Sequence, residues 1–284
     1  MVKDKTLSYC AVRLRQFDRD RYLTALFAPR ERRDALFVLY AFNLEIARIA
    51  EATTESLIGE MRLQWWRDVI ADAYGGKAPH GDVVAESLGE VIAAYGLTRR
   101  HFDRLLEARA LDVERRPPAS LEELKVYAEA TSGGLQHLAL EILGVGEHSG
   151  AARAASAIGI AWALTGLLRA VPFHGRAGRL YLPGNLIAAT GIAPDALPLG
   201  QSTPAMTAVA KSLAEAARSA LHQARQRKRD MPGDALPALM LGALADRYLA
   251  RIAKAGYDLF DPRVAAPPPF REVGLWLRAR KGNY

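Results

Sequence analysis

Apolar residues recur at spacings of three and four along most of this chain of 284 residues. Such spacing is typical of amphipathic α-helices, because 3.6 residues per turn place these side chains on one face. The pattern is clearest between Arg30 and Glu51, where the apolar stripe consists of Ala35, Leu36, Leu39, Ala41, Phe42, Ile46, Ile49 and Ala50. No alternation of apolar and polar residues persists for the length of a β-strand. The sequence therefore predicts an all-α fold, a helical bundle.

Glycine and proline clusters separate this helix from others along the chain. The further helices are predicted at about 57–70, 81–95, 98–112, 120–143, 151–171, 204–229 and 236–256. No connecting segment has the character of an interdomain linker and no repeat period is found, so residues 1–284 are predicted to form one domain. We expect an extended segment from Pro262 to Pro269, and after it residues 275–277 docking back onto the bundle or touching another apolar surface.

The composition is that of a globular protein, with 50% hydrophobic and 24% charged residues. The N-terminal residues lack the apolar core of a secretory signal, and no stretch approaches the roughly 18 consecutive apolar residues of a membrane span. The single cysteine, Cys10, excludes an internal disulfide framework and a cysteine-based metal cluster. We therefore expect a cytoplasmic protein, at most peripheral on the inner face of the membrane.

The net charge of +7 favours an anionic partner of some kind. Nucleic acid is not expected, because no nucleic-acid-binding motif accompanies the charge. The basic run of Arg225, Arg227, Lys228 and Arg229 is interpreted as a solvated helix end near the negative pole of the helix dipole. Contact of this run with a membrane surface is the sharper alternative. The chain also lacks a nucleophile elbow, a P-loop and a glycine-rich dinucleotide turn.

Three stretches carry the most specific pattern in the chain. They are PRERRDALFVLYAF from Pro29 to Phe42, YAEATSGG from Tyr127 to Gly134 and GRLYLP from Gly178 to Pro183. Together they resemble the squalene/phytoene synthase family, and the resemblance covers most of the chain. It implies an isoprenoid-synthase-type helical bundle around a central cavity. It also implies head-to-head coupling of farnesyl or geranylgeranyl diphosphate as the ancestral reaction.

In that family, two helices each present aspartates one turn apart, which places carboxylates on facing walls of one cavity. Magnesium ions held there neutralise the charge of the departing diphosphate, since magnesium prefers oxygen ligands. The first motif maps onto residues 47–51, where Ala47, Arg48 and Glu51 occupy the aspartate positions. One of its three carboxylates is thus retained.

The second motif maps onto residues 170–174, directly after Arg169, and has lost all its acids. Ala170 and His174 replace two of them, and Phe173 the third. Pro172 is expected to break or kink the helix, because it donates no backbone N–H and clashes with the preceding turn. Five of the six expected carboxylates are therefore missing across the two motifs.

A closer resemblance rests on FNLE from Phe42 to Glu45, MRLQWW from Met61 to Trp66, and Leu168-Arg169 followed by Pro172 and His174. These residues resemble the degenerate members of the family that serve as assembly factors for respiratory complex I. The first hypothesis follows from this resemblance and from the lost acids. It predicts a non-catalytic protein whose cavity binds an isoprenoid, an anionic lipid-like ligand or a protein in support of complex I assembly, with complex I subunits as candidate partners. It assigns no catalytic residue, metal or cofactor. Basic groups in the gaps would contact an anionic head group directly. The candidate ligand- or diphosphate-binding residues are Tyr40, Arg48, Glu51, Arg169, His174, Arg179 and Tyr181.

Two alternatives remain open. The chain could be an active prenyltransferase with an atypical magnesium site, in which Glu51, Glu129 or Glu141 supplies oxygens from other helical turns. It could also be a scaffold whose former site is packed shut by Phe173 and the tryptophans. Simple structural roles exist as well, since Arg48 lies one turn from Glu51 and can pair with it at the surface.

Overall fold

The computed structural model describes residues 4–53, 55–146, 149–226 and 231–284. These residues form helices and connecting turns and contain no β-strand, which confirms the predicted all-α class. The helices of the first half are α1 Asp4–Phe17, α2 Arg19–Ala25, α3 Arg30–Ala52, α4 Ser56–Tyr74, α5 Val83–Tyr95, α6 Arg99–Val113, α7 Leu121–Ala128 and α8 Gly134–Ile142. Those of the second half are α9 Gly150–Arg176, α10 Gly184–Ala188, α11 Pro204–Arg225, α12 Leu236–Leu239, α13 Leu241–Lys254, α14 Pro262–Ala265 and α15 Arg271–Arg280.

Helix α9 is the centre of the bundle and packs against α8, α11 and α13. Among the described residues it is the one helix long and apolar enough to cross a membrane, although it contains no unbroken apolar run of that length. Of its most apolar 18-residue window, 56% is buried inside the protein. A helix surrounded on most sides by other helices is apolar on most faces, so a core position accounts for this composition.

Helix α9 continues through Pro172 to Arg176, so the expected break at the proline is wrong. A proline removes only its own backbone hydrogen bond, and little helix remains beyond this one. The helix ends at Arg176, two residues before Gly178. The φ of Gly178 is 64°, the left-handed conformation typical of the residue that follows a helix C-terminus. The backbone N–H of Arg179 donates to the His174 carbonyl at 2.9 Å and closes the last turn. His174 is thereby held on the helix, at the same register as the family's lost acid.

A short π-helix, Glu129–Gly133, joins α7 to α8. Helix α9 approaches this segment very closely at Gly159. A Cβ at Gly159 would lie 2.6 Å from the backbone of Gly133. Only glycine allows two backbones to approach so closely, and this contact fixes the distance between α9 and the residues preceding α8.

The adjacent tryptophans of α4 pack in and beside the hydrophobic core. Trp66 is buried and meets Phe42 edge to face with ring centroids 5.2 Å apart. Trp65 is half-exposed and packs edge to face on Trp66 at 4.9 Å. Trp66 therefore packs α4 against α3, and Trp65 covers Trp66.

The C-terminal segment docks onto the bundle, which confirms that prediction. The buried Arg271 donates to Asp20 at 2.8 Å, and Asp20 also accepts from the hydroxyl of Tyr248 at 2.7 Å. Leu275 is buried, whereas Trp276 remains half-exposed. The part expected to be extended instead contains the short helix α14, because Asp261 caps its start and Pro262 fits the first helical position.

The predicted basic run lies partly outside the described residues, which end at 226 before this gap. Arg225, the last residue of α11, donates to Asp246 at 2.8 Å and to the carbonyl oxygen of Tyr284 at 2.8 Å. Arg225 thus ties the chain terminus to the bundle.

Candidate ligand-binding cavity

A cavity of about 230 Å³ opens between α2, α3, α6, α7, the π-helix and α9. Its apolar lining comes from two helices: Leu44 and Ala47 on α3, and Trp162, Ala163, Gly166, Leu167 and Ala170 on α9. Its uncharged polar residues are Asn43, Tyr127, Thr131 and Ser132, and its titratable ones are Asp18, Arg21, Arg109 and His174. The cavity is therefore apolar along α9 and polar toward α2 and α6.

Three of the positions at which the family resemblance places metal-binding acids lie on two walls of this one cavity. Ala47 lines it from α3, and Ala170 and His174 line it from α9. Alanine offers no oxygen, so the residues at these positions do not fit a magnesium site, which needs several oxygen ligands. Among the described residues, moreover, no three His, Cys, Asp or Glu side chains are grouped closely enough to hold a metal ion.

Each arginine of the cavity is paired with an aspartate. Arg21 donates to Asp18 at 2.7 Å, and both side chains are largely buried. Arg109 donates to Asp112 at 2.9 Å and to the hydroxyl of Tyr127 at 2.7 Å. The positive charges of the two arginines that line the cavity are thus compensated within the protein.

Asp112 is the centre of a buried hydrogen-bonded cluster. The hydroxyl of Tyr127 donates to it at 2.9 Å, and Tyr181 lies close by. Burial raises the pKa of both tyrosine hydroxyls well above their usual range, and the Asp112 carboxylate raises both further. Both hydroxyls are therefore protonated at neutral pH and serve as hydrogen-bond donors.

His174 packs against Tyr181, with ring centroids 4.5 Å apart. Burial lowers the pKa of His174 to about 4, and the nearby guanidinium groups of Arg179 and Arg109 lower it further against the opposing charge of Asp112. The imidazole is consequently neutral at pH 7. The expectation that His174 supplies a positive charge in place of a lost acid is therefore wrong.

Four of the seven predicted site residues lie in or beside the cavity. His174 lines it, and Tyr181 lies behind Tyr127 and Asp112. Arg179 is buried close to His174 but donates to the carbonyl oxygen of Ala50. Tyr40 is fully buried beneath Arg21, whose guanidinium carbon lies 5.8 Å from the ring centroid.

The other three predicted residues do not line the cavity. Arg48 stacks on Phe17 with its guanidinium carbon 4.7 Å from the ring centroid. Glu51 is exposed at the end of α3. The guanidinium of Arg169 stacks on Tyr248 at 3.6 Å and donates to the carbonyl oxygen of Ala265 at 3.3 Å. The Arg169 side chain thus holds the C-terminal segment.

Sequence reasoning missed the two arginine–aspartate pairs of the cavity. Arg109 and Asp112 lie three residues apart on α6, and Asp18 and Arg21 have the same spacing at the start of α2. Such spacing is common in exposed helical pairs, so nothing in it indicates a cavity. A usable signal was the position of Asp112 between two apolar residues in LDV, ahead of the family-like segment that begins at Tyr127.

The depressed pKa of His174 makes a testable contribution to stability. Its unfolded pKa of about 6.5 exceeds the folded value, so the unfolded chain binds the proton more tightly and acid favours unfolding. This contribution is fully present above pH 6.5 and is lost as pH falls toward 4. Between pH 7 and 4.5, we expect the wild-type chain to lose about 1–3 kcal/mol more unfolding free energy than His174→Gln. Urea unfolding of both proteins at the two pH values measures this difference, and equal losses would contradict a buried neutral imidazole.

The comparisons with known proteins agree with this geometry. The family model of squalene/phytoene synthase matches residues 14–271. The NADH dehydrogenase (ubiquinone) complex I assembly factor 6 of Bos taurus is 32% identical over 97% of this chain and 82% of its own length. The chloroplastic phytoene synthase 3 of Zea mays is 24% identical over 94% of this chain and 63% of its own length.

Solved structures show the same fold. A dehydrosqualene synthase in complex with ligand superimposes with a TM-score of 0.83 at 21% identity, covering 98% of this chain and 96% of its own. The squalene synthase HpnC from Alicyclobacillus acidocaldarius gives 0.77 at 20% identity, covering 89% of this chain and 95% of its own. The isoprenoid-synthase-type bundle predicted from the sequence is thereby confirmed. On the family match over nearly its whole length and the identity to the assembly factor, this chain belongs to the squalene/phytoene synthase family.

Proposed function

We propose that this chain is a non-catalytic member of its family that binds an isoprenoid or other lipid-like ligand in its cavity and supports assembly of respiratory complex I. One observation carries the proposal: the cavity is retained, while Ala47, Ala170 and His174 stand where the resemblance places metal-binding acids. The relatives named as complex I assembly factor 6 support the role, because their identity of 30–32% extends over 97% of this chain. We expect the protein in the cytoplasm or peripherally on the inner membrane face, in contact with complex I subunits.

The alternative of an active prenyltransferase requires other carboxylates to reach the cavity. Glu51 is exposed, and Glu141 accepts a hydrogen bond from the backbone N–H of Thr98 at 2.9 Å. Glu129 accepts from Ser156 at 3.0 Å. None of the three glutamates lines the cavity. Their placement therefore gives no support to a rearranged magnesium site.

The alternative of a scaffold with a filled cavity is also disfavoured. Phe173 is 53% exposed and points away from the cavity lining. Trp65 and Trp66 do not line the cavity, and Trp162 lines it without filling it. The remaining volume of about 230 Å³ is many times the roughly 10–15 Å³ that one water molecule needs on the same measure, so the cavity is not packed shut.

The role in complex I assembly is tested by deleting the gene in the organism that encodes it. We expect NADH-driven respiration and the amount of assembled complex I to fall, and the wild-type gene to restore both. Gly166→Leu should fail to restore them, because the new side chain projects into the cavity. Gly200→Leu is the matched control, since a Cβ at either glycine meets no atom within 4 Å but Gly200 lies in an exposed loop.

Two outcomes would contradict the proposal. Unchanged complex I after deletion would remove the assembly role. Full restoration by a stably folded Gly166→Leu protein would show that the role does not depend on the cavity.

A further inference from the structure

The charged groups that line the cavity are electrically balanced. The two guanidinium groups in the lining, on Arg21 and Arg109, each contact a carboxylate within hydrogen-bonding distance. Asp18 is held further by the backbone N–H of Arg21 at 3.2 Å. Asp112 is 4% exposed and also accepts from Tyr127. Each of the two positive charges is therefore balanced by a carboxylate.

The other titratable groups do not change this balance at the cavity surface. His174 is neutral at pH 7 because of its burial. The next cation, Arg179, does not line the cavity and donates to the carbonyl oxygen of Ala50. The remaining polar lining consists of the uncharged Asn43, Tyr127, Thr131 and Ser132.

A polyanionic head group would find no guanidinium in the cavity lining whose charge is not already balanced by an aspartate. It would have to displace Asp18 or Asp112 from its arginine and leave a buried carboxylate without its partner, which is strongly unfavourable. If both pairs stayed intact, the two carboxylates would repel the head group. The lost acids of the magnesium motifs remove the other means of neutralising a diphosphate.

An uncharged oxygen requires no such rearrangement. The hydroxyl of Ser132 lies in the cavity wall, belongs to a residue 6% exposed, and has no hydrogen-bond partner among the residues that the structure describes. Thr131 donates its hydroxyl to the carbonyl oxygen of Tyr127 at 2.8 Å and keeps acceptor capacity. A hydroxyl or carbonyl group can exchange hydrogen bonds with these residues while the ion pairs remain closed.

We infer that the cavity takes a molecule with a long apolar chain and an uncharged oxygen-containing head, such as an alcohol or a ketone, in preference to a diphosphate. The inference rests on the proposed ligand-binding function and specifies the chemical class of the ligand. It replaces the anionic head group expected from the sequence, because the two arginines that line the cavity are each paired with an aspartate.

The test compares two ligands with the same chain. Geranylgeraniol and geranylgeranyl diphosphate are titrated into the purified full chain by calorimetry, each with magnesium and with a chelator. We expect the alcohol to bind at least about tenfold more tightly than the diphosphate under both conditions. Tighter binding of the diphosphate would overturn the inference and leave the proposed function standing. Binding of neither compound would overturn the ligand-binding function and the inference with it.

A second arm changes the charge balance directly. Asp18→Asn keeps the shape of the side chain but frees the charge of Arg21, so it should shift the preference toward the diphosphate by about tenfold. Asp103→Asn is the matched control, because Asp103 pairs with Arg99 on an exposed part of α6. An unchanged preference in a folded Asp18→Asn protein would contradict the argument from charge compensation.

Discussion

Asp112→Ala is expected to lower the free energy of unfolding by about 3–5 kcal/mol. Asp112 is 4% exposed, and the change leaves the largely buried guanidinium of Arg109 without its carboxylate partner. The hydroxyl of Tyr127 loses its acceptor as well. Breaking a buried pair from one side is costly because the remaining charge stays desolvated. Urea unfolding at pH 7, followed by circular dichroism, measures the loss.

Asp103→Ala provides the control on the same helix. Asp103 and Arg99 are each about half exposed and lie 3.3 Å apart. Exposed pairs contribute about 0–1 kcal/mol because water and salt screen them. Similar losses in the two variants would show that Arg109 finds solvent or another partner when Asp112 is removed. That result would contradict a stabilising role for the buried Asp112 cluster.

Gly159→Ala should lower the free energy of unfolding by about 1–3 kcal/mol, although alanine favours helices. The new Cβ would lie 2.6 Å from the backbone of Gly133 and 2.8 Å from that of Ser132. Backbone atoms cannot rotate away as a side chain can, so α9 and the π-helix must separate. Because both segments line the cavity, the same substitution should weaken ligand binding.

Gly166→Ala on the same helix should have the opposite sign. A Cβ at Gly166 meets no atom within 4 Å, so only the gain in helix propensity remains, and stability should rise by about 0.5–1 kcal/mol. Thermal unfolding of the two variants side by side measures the contrast. A stabilised Gly159→Ala protein would mean that the close approach of α9 to Gly133 is not needed.

Much of the fold followed from the sequence because burial of one helical face leaves a period of 3.6 in the apolar residues. The predicted helix at 151–171 corresponds to α9, which extends to Arg176. The predicted helix at 120–143 corresponds to α7, the π-helix and α8 together. Its interruption was not predicted, since the π-helix depends on the packing of Gly133 against Gly159 from a distant part of the chain.

The candidate site was predictable only in part. Ala47, Ala170 and His174 could be placed on the cavity walls because the family resemblance fixed their register. Arg169 precedes Ala170 in the sequence, yet its side chain contacts Tyr248 and Ala265, because successive helical residues point about 100° apart. The balance of charge in the cavity lining depends on contacts between buried side chains, which sequence spacing alone does not reveal.

The proposed loss of magnesium-dependent coupling of prenyl diphosphates can be tested directly on the purified protein. The purified protein is incubated with farnesyl or geranylgeranyl diphosphate and magnesium, and released diphosphate and C30 or C40 hydrocarbon are quantified against a boiled sample. We expect neither product above the blank, because Ala47, Ala170 and His174 provide no carboxylate to hold the metal against a leaving diphosphate. Robust, magnesium-dependent release of diphosphate together with the coupled hydrocarbon would contradict it.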